Sequence, residues 1–288
     1  MDERFASPAE VASALAGVDY VADSHIASVV HLAVHLQKPV LVEGPAGTGK
    51  TQLAKSVAEM SGARLIRLQC YEGLDEAKAL YEWNYRKQLL RIQVERDVTW
   101  AAVHDDIFAE EFLLPRPLLE AIRADDRVVL LVDEVDRLEV ETEALLLEVL
   151  SEHQISIPEL GTVTATQIPL VFLTSNNSRE LSEALKRRCL FLHLDYPSPE
   201  RERAIVAARV PGIGDDLADQ VVRVVRGLRQ LDLRKHPSVS ETLDWAQALM
   251  LLGIDDLGAD EVKATLHVLL KYQSDIVRAT RELALQGS

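Results

Sequence analysis

The amino-acid sequence predicts an α/β fold in which helices sandwich a parallel sheet, followed by a small all-helical domain. Strand-like and helix-like segments alternate up to about residue 195, and the strand-like segments are continuous apolar runs such as VVLLV and PLVFLT. Strands of this kind are buried on both faces, as they are in parallel sheets covered by crossover helices. Beyond Tyr196 only helical periodicity remains, which predicts the second domain.

The α/β domain is predicted to span residues 1–196. Ser7 followed by Pro8 is typical of a helix N-cap with proline at the first helical position, and a second helix is expected over residues 24–36. The strands that we expect are 39–43, 64–70, 127–133, 169–175 and 189–195. The helices that we expect among them are 50–61, 116–124, 140–152 and 180–186.

The composition changes at Tyr196-Pro197-Ser198-Pro199, a proline-containing junction between the two kinds of pattern. Such junctions are typical of domain boundaries, so we place one at 196/197. The helices expected in the domain 197–288 are 199–210, 215–231, 239–252, 260–270 and 273–285.

The segment between the first strand and the next helix reads GPAGTGKT, from Gly44 to Thr51, and fits the phosphate-loop pattern G-x-x-x-x-G-K-[ST] without a mismatch. Glycines allow the backbone to wrap a phosphate with its N–H groups pointing inward, and the following helix adds the positive end of its dipole. Lys50 can then reach the β- and γ-phosphates, and the Thr51 hydroxyl can coordinate Mg²⁺. The chain is therefore predicted to bind a nucleoside triphosphate.

Two other buried strands end in polar residues. Asp133 and Glu134 follow one of them; the aspartate can hold Mg²⁺, and the glutamate is suited to orient and deprotonate an attacking water. Asn176 follows another, where its amide can hydrogen-bond that water or the γ-phosphate. Alternatively, Asn176 forms only a turn with Asn177 and Ser178. The acids favour hydrolysis of the bound nucleotide.

Arg187 and Arg188 precede the last predicted strand, in ALKRRCLF. Such a pair can satisfy carbonyl groups at a helix end. It can instead supply an arginine finger to the nucleotide of a neighbouring subunit. The sequence pattern alone leaves both alternatives open.

The composition restricts the partners and the compartment. With 46 acidic and 31 basic residues the formal net charge is −15, which argues against a surface built for nucleic acid or anionic lipid. The charged N-terminus has no apolar signal region and no apolar stretch approaches a membrane span, so we expect a cytoplasmic protein without membrane partners. Cys70 and Cys189 lie in apolar runs and are expected to be buried and reduced.

Together, GPAGTGKT, LLVDEVD, FLTSNN, KRRC and the helical tail resemble an AAA+ ATPase. The segment VDYVADSHIASVVHLAVHLQKPVLVEGPAGTGKT is similar to the MoxR family, and QCYEGLDEAKALYEWNY and HPSVSETLDWAQAL resemble its CoxD-like branch, associated with carbon monoxide dehydrogenase maturation. The resemblance implies a five-stranded parallel sheet in the AAA+ order and a helical lid over residues 197–288. It also implies β-hairpin inserts near 72–95 and 153–166 and a ring, usually a hexamer.

The resemblance assigns roles to residues, with ATP and Mg²⁺ as cofactors. Walker A, which binds the nucleotide, falls on Gly44, Pro45, Ala46, Gly47, Thr48, Gly49, Lys50 and Thr51. Walker B falls on Asp133 and Glu134, the metal on Thr51 and Asp133, and sensor 1 on Asn176. Arg188 matches the arginine finger best, with Arg187 as the runner-up.

One position departs from the family pattern. Many relatives carry a sensor-2 arginine at the start of a lid helix, where this chain has Ser240. Either Arg234 or Lys235 substitutes for that arginine, or the coupling of the lid to the nucleotide is weaker.

The implied function is that of an ATP-hydrolysing chaperone of the MoxR type. Such a chaperone matures a metalloenzyme client, commonly alongside a partner with a von Willebrand factor A domain. Two alternatives remain. A DNA-acting motor or loader is disfavoured by the net charge of −15. A nucleotide-switched scaffold with little turnover is disfavoured by the intact Glu134. The sequence does not decide between ATP and GTP.

Overall fold

The structure, a computed structural model, describes residues 3–94 and 107–286. Its strands in these ranges are β1 (Val40–Glu43), β2 (Arg64–Gln69), β3 (Tyr81–Trp83), β4 (Leu113–Pro115), β5 (Val128–Asp133), β6 (Gln154–Ile157), β7 (Gly161–Thr164), β8 (Leu170–Ser175) and β9 (Leu190–His193). Its α-helices are α1 (Pro8–Ala16), α2 (Ser24–Leu36), α3 (Lys50–Ser61), α4 (Glu76–Ala79), α5 (Tyr85–Val94), α6 (Pro117–Ile122), α7 (Val140–Glu152), α8 (Glu183–Lys186), α9 (Pro199–Arg209), α10 (Asp215–Gln230), α11 (Val239–Leu251), α12 (Ala259–Leu269) and α13 (Gln273–Gln286).

Five parallel strands form the central sheet, in the order β2-β5-β8-β1-β9. They are the five strands that the sequence predicts, and the fold class is confirmed. All six residues of β5 are buried, and its alternate residues enter different apolar clusters on the two faces of the sheet. Leu130 belongs to the cluster that includes residues of α6 and α7, whereas Leu131 belongs to the cluster that includes residues of α1, α2 and α3. This two-sided burial explains why the strands are continuous apolar runs.

The segment predicted as a hairpin near 72–95 folds differently. Over residues 72–94 it contains α4, the short strand β3 and α5. β3 pairs antiparallel with β4, with Trp83 opposite Leu113, and not with a strand of its own segment. Trp83 is buried against Phe108, with 5.2 Å between ring centroids, and the Asn84 side chain accepts a hydrogen bond from the Lys87 backbone in the first turn of α5. Burial of Trp83 favours pairing with the distant strand β4, and Asn84 starts a helix where the family resemblance implies the second strand of a hairpin.

Residues 154–164 form an antiparallel hairpin within the range 153–166. Ile157 lies opposite Gly161, and the Leu160 N–H donates to the Ile157 carbonyl across the turn at 3.0 Å. Ile155 and Ile157 are buried in the cluster that covers one face of the sheet. The hairpin is thus packed onto the α/β body through one face of β6.

The helices from α9 onward share an apolar cluster of their own, centred on the fully buried Trp245. The indole N–H of Trp245 donates to the Thr265 hydroxyl at 2.8 Å. The boundary at 196/197 stays a prediction.

Cys70 is buried and Cys189 is half-buried, and both thiols are free. Over the two described ranges, no helix combines the length and the apolar character needed to cross a membrane.

A buried ion pair joins α9 to α10, and its loss should destabilise the helical region. Glu202 is 0% exposed and accepts hydrogen bonds from Arg229 at 2.7 and 2.8 Å. Since stranding one charge of a buried pair costs about 3–5 kcal/mol, we expect Arg229→Met to lower the free energy of unfolding in urea by about 3 kcal/mol. The control Arg278→Ala removes an exposed pair with Asp232 and should cost less than about 1 kcal/mol. Equal losses in the two variants would contradict this interpretation.

Candidate functional site

Most of the residues singled out in the sequence converge at the carboxyl end of the sheet. One cavity of about 360 Å³ is lined by the predicted residues Ala46, Gly47, Gly49, Lys50, Thr51, Asp133, Glu134 and Asn176. Thr48 lines an adjacent cavity of about 170 Å³, next to Tyr20 and Arg201. Gly44 and Pro45 line neither cavity but supply backbone contacts to the loop. The loop after β1 therefore faces the ends of β5 and β8.

The loop from Gly44 to Thr51 is wrapped around the Lys50 amine. The Lys50 Nζ donates to the carbonyl oxygens of Gly44 and Pro45, both at 2.7 Å, and the side chain is buried. The φ angles of Gly44, Gly47 and Gly49 are 151°, 75° and 94°, values that side-chain-bearing residues rarely adopt. Burial lowers the pKa of Lys50, and the nearby carboxylates oppose that shift. Such a loop, with a buried amine at the start of α3, is suited to bind an anion.

Thr51 and Asp133 bring two oxygen donors together across the cavity. The Thr51 hydroxyl donates to Asp133 Oδ1 at 3.0 Å, and the Thr174 hydroxyl donates to the same oxygen at 2.5 Å. Asp133 is 3% exposed. A hydroxyl and a carboxylate fit Mg²⁺, which keeps several waters and takes its other ligands from substrate phosphates.

Glu134 leaves the strand in a left-handed backbone conformation, with φ 58° and ψ 49°. Its N–H donates to the Thr174 hydroxyl at 2.9 Å, which supports this conformation. Its carboxylate accepts a hydrogen bond from Gln69 at 3.1 Å and pairs with Arg137 at 2.9 Å. Glu134 thus lines the cavity and contacts polar neighbours, an arrangement that suits a general base for an attacking water.

Sequence reasoning missed Arg67 and Gln69. Arg67 pairs with Asp133 Oδ2 at 2.5 Å, and Gln69 contacts Glu134. Both lie in β2, where Gln69 is in register with Asp133. The alternation of RLIRLQ signals that these two side chains are exposed, but only the pairing of β2 with β5 brings them to the acids.

Asn176 lines the cavity, and its neighbour makes the turn. Asn177 has a φ of 58°, and its N–H donates to the Ser175 hydroxyl at 3.0 Å. Asn177 therefore makes the turn, Asn176 is among the residues that line the cavity, and the role of Asn176 stays a prediction.

The two candidate finger arginines lie away from this cavity. Arg188 donates to the Ser151 hydroxyl and to the Ala184 carbonyl, whereas the Arg187 side chain is 81% exposed and 3.9 Å from Glu183. Neither lines the cavity of its own chain. A finger that acts on a neighbouring subunit requires this separation, and the role stays a prediction.

The C-terminal helical region contributes Ser240 to the cavity. Ser240 is among the lining residues, whereas Arg234 and Lys235 are not. The Arg234 guanidinium lies 4.3 Å from the centre of the Tyr272 ring, and Lys235 pairs with Glu241 at 3.1 Å. In this conformation neither residue takes the place of a sensor-2 arginine.

Gly47 marks the direct contact between the loop and the lid. A Cβ atom there would lie 2.1 Å from the Ser238 hydroxyl oxygen, at the start of α11. Because overpacking costs about 1–3 kcal/mol, we expect Gly47→Ala to weaken binding of a fluorescent ATP analogue about tenfold. The double variant with Ser238→Gly removes the clash and should recover part of that affinity. No recovery would show that the loss comes from the loop alone.

Known proteins resemble this chain in sequence and in fold. The AAA domain family (dynein-related subfamily) matches residues 39–189, more than half of the chain. An uncharacterized protein of Staphylococcus aureus (strain USA300) is 22% identical over 234 residues, which are 79% of this chain and 81% of that protein. A mutant of RuvB from Thermotoga maritima matches the fold with a TM-score of 0.52 and a sequence identity of 18%. The match covers 91% of this chain and 72% of the RuvB chain. The Thermotoga maritima RuvB Holliday junction branch migration motor gives 0.48 at the same identity and coverages. At these identities the likeness to solved structures shows the fold alone.

Proposed function

This chain belongs to the AAA domain family (dynein-related subfamily), and we propose from that premise that it hydrolyses ATP in the cavity at the carboxyl end of its sheet. The observation that carries the proposal is the contact between Thr51 and Asp133, 82 residues apart in sequence and 3.0 Å apart in space. Lys50, Glu134 and Asn176 line the same cavity. Phosphate binding, metal binding and water activation are thus available within one site.

Each residue has a role in the proposed reaction. Lys50 exchanges the carbonyl oxygens of Gly44 and Pro45 for β- and γ-phosphate oxygens. Thr51 and Asp133 would hold Mg²⁺, and the bound metal would neutralise charge on the phosphates. Glu134 accepts a proton from the attacking water. The Asn176 side-chain amide orients that water or the γ-phosphate. Arg188 reaches the nucleotide of the next subunit in a ring and acts as its arginine finger.

Phosphate release from ATP by the purified chain tests this proposal. We expect turnover with Mg²⁺ and none after chelation of the metal, because the charge on the transferred phosphoryl group is then not neutralised. Replacing ATP by GTP in the same assay measures the base preference. Binding without turnover would support the nucleotide-switched scaffold instead.

We propose further that hydrolysis drives a MoxR-type chaperone that remodels a client protein, with a metalloenzyme as client and a von Willebrand factor A-domain protein as partner. The resemblance of the sequence to the CoxD-like branch supports this proposal. Loss of the γ-phosphate contacts would release the lid, which touches the loop at Gly47, and so move the lid relative to the body. The net charge of −15 disfavours the DNA motor.

Isolation of bound proteins tests the choice of client. The chain carrying Glu134→Gln, in which ATP is retained, should bring down a metalloenzyme and its partner, identified by mass spectrometry against a Lys50→Ala control. Duplex DNA should show no binding by fluorescence anisotropy at physiological salt. Salt-dependent DNA binding would contradict the chaperone proposal and favour the motor.

A further inference from the structure

A single carboxylate, that of Asp136, fastens the loop after β8 to the loop after β5. Its Oδ2 accepts three hydrogen bonds, from the Asn176 N–H at 3.2 Å, the Ser178 N–H at 2.9 Å and the Ser178 hydroxyl at 2.6 Å. Asp136 itself lies two residues after Glu134, in the 3₁₀ turn Val135–Arg137. The carboxylate thus connects the backbone of the proposed sensor, Asn176, to the segment that holds the proposed base.

Asp136 is buried although it is an acid. It is 3% exposed, and its Oδ1 has no hydrogen-bond partner among residues 3–94 and 107–286. Burial raises the pKa of Asp136, but the hydrogen bonds from Ser178 and Asn176 outweigh it and hold that pKa below its ordinary value. The group therefore remains charged at neutral pH, and a charged acceptor makes stronger hydrogen bonds to the loop than a neutral one.

Both loops contain a residue in a left-handed conformation. Glu134 and Asn177 each have a φ of 58°. The left-handed conformation costs roughly 1–2 kcal/mol for residues other than glycine, although asparagine tolerates it better than glutamate. Such conformations persist where the surrounding structure holds them. The three hydrogen bonds to Asp136 join the loop that contains Glu134 to the two residues on either side of Asn177.

We propose that Asp136 is a positioning residue of the hydrolysis site, which holds the Asn176 amide in place relative to the Glu134 carboxylate. The inference rests on the proposed function, because Asn176 and Glu134 have their roles there. Asp136 does not line the cavity; its hydrogen bonds reach the site through Asn176, and its negative charge also favours the protonated Lys50 amine. Misplacement of a catalytic group by about 1 Å can cost on the order of a hundredfold in rate, so this connection should affect turnover more than binding.

Glu143, in α7, provides a matched control because it contacts the same loop after β8. It is 1% exposed, pairs with Arg179 and accepts a hydrogen bond from the Ser182 N–H at 3.1 Å. It is therefore a second buried acid that fastens the loop after β8, but several residues beyond Asn176. Loss of Glu143 should lower stability as loss of Asp136 does, but it should leave the Asn176 side-chain amide in place.

The test compares kcat, the affinity for a fluorescent ATP analogue and thermal stability in four variants. We expect Asp136→Ala to lower kcat by about 10–100-fold with less than about a threefold change in affinity. Glu143→Ala should lose comparable stability and keep kcat within about threefold of the wild type. Asp136→Asn keeps an acceptor oxygen and should recover most of kcat. Ser178→Ala removes one of the three bonds and should give an intermediate kcat.

The proposal is overturned if Asp136→Ala and Glu143→Ala lower kcat equally, or if Asp136→Ala leaves it unchanged. Ser178 is exposed, so its alanine variant keeps the test decisive if Asp136→Ala does not fold; an unchanged kcat in Ser178→Ala then overturns the proposal. Failure of the proposed function looks different, because then the wild type itself releases no phosphate. Turnover in the wild type with no effect of these variants contradicts only the role of Asp136.

Discussion

A Glu134→Gln variant will bind ATP as tightly as the wild type and release phosphate at least about a hundredfold more slowly. Glutamine has the shape of glutamate, and its side-chain oxygen can still accept the hydrogen bond from Gln69. It cannot take a proton from water, so only the chemical step is lost. Phosphate release and titration with a fluorescent ATP analogue measure the two effects separately.

Glu139→Gln is the control for this variant. Glu139 is exposed, lies outside the cavity and loses the same charge on substitution. Its turnover should equal that of the wild type. If Glu134→Gln instead keeps turnover within about threefold of the wild type, the assignment of the general base is wrong.

Subunits carrying Arg188→Ala will not hydrolyse ATP by themselves, but mixing them with Glu134→Gln subunits will restore turnover. An arginine finger can contribute 10³–10⁵ to kcat, so we expect the single variant to lose at least about a hundredfold. In a mixed ring, some sites combine an intact Glu134 from one subunit with an intact Arg188 from the next. Phosphate release by the mixture, relative to the sum of the separate variants, measures this complementation.

Arg187→Ala separates the two arginines. Arg187 is more exposed, and its ion partner among the described residues is the distant Glu183, so its loss should change kcat by less than about threefold. A large loss of kcat in Arg187→Ala would assign the arginine finger to Arg187 and not to Arg188. Absence of complementation in the mixture would contradict a finger that acts between subunits.

The sheet was predictable because each of its strands is recognisable from local sequence. An apolar run such as VVLLV is buried on both faces wherever it lies in a parallel sheet, and GPAGTGKT fixes the chain reversal between β1 and α3. Asp133 and Asn176 then meet the loop because β5 and β8 are neighbours in the sheet. Local pattern and strand order together account for the cavity.

The contacts that sequence reasoning missed all depend on long-range packing. Trp83 pairs its strand with Leu113 because burial of the indole outweighs a local turn. Arg67 reaches Asp133 only through the register of β2 with β5. Asp136 has no local signal, since an acid in the segment DEVDR is indistinguishable from a solvated charge until the loop after β8 covers it. The place of Ser240 depends likewise on how the lid packs on the loop.

Phosphate release by the wild type and by Lys50→Ala, purified and assayed identically with Mg²⁺, tests the central claim most directly. Lys50 is the only lysine within the loop Gly44–Thr51, where its amine is held by two carbonyl oxygens. We predict steady turnover in the wild type and a rate of phosphate release at least about a hundredfold lower in the variant. The variant lacks the positive charge that stabilises the negative phosphates. Equal turnover in the two proteins, or none in the wild type, would contradict hydrolysis at this cavity.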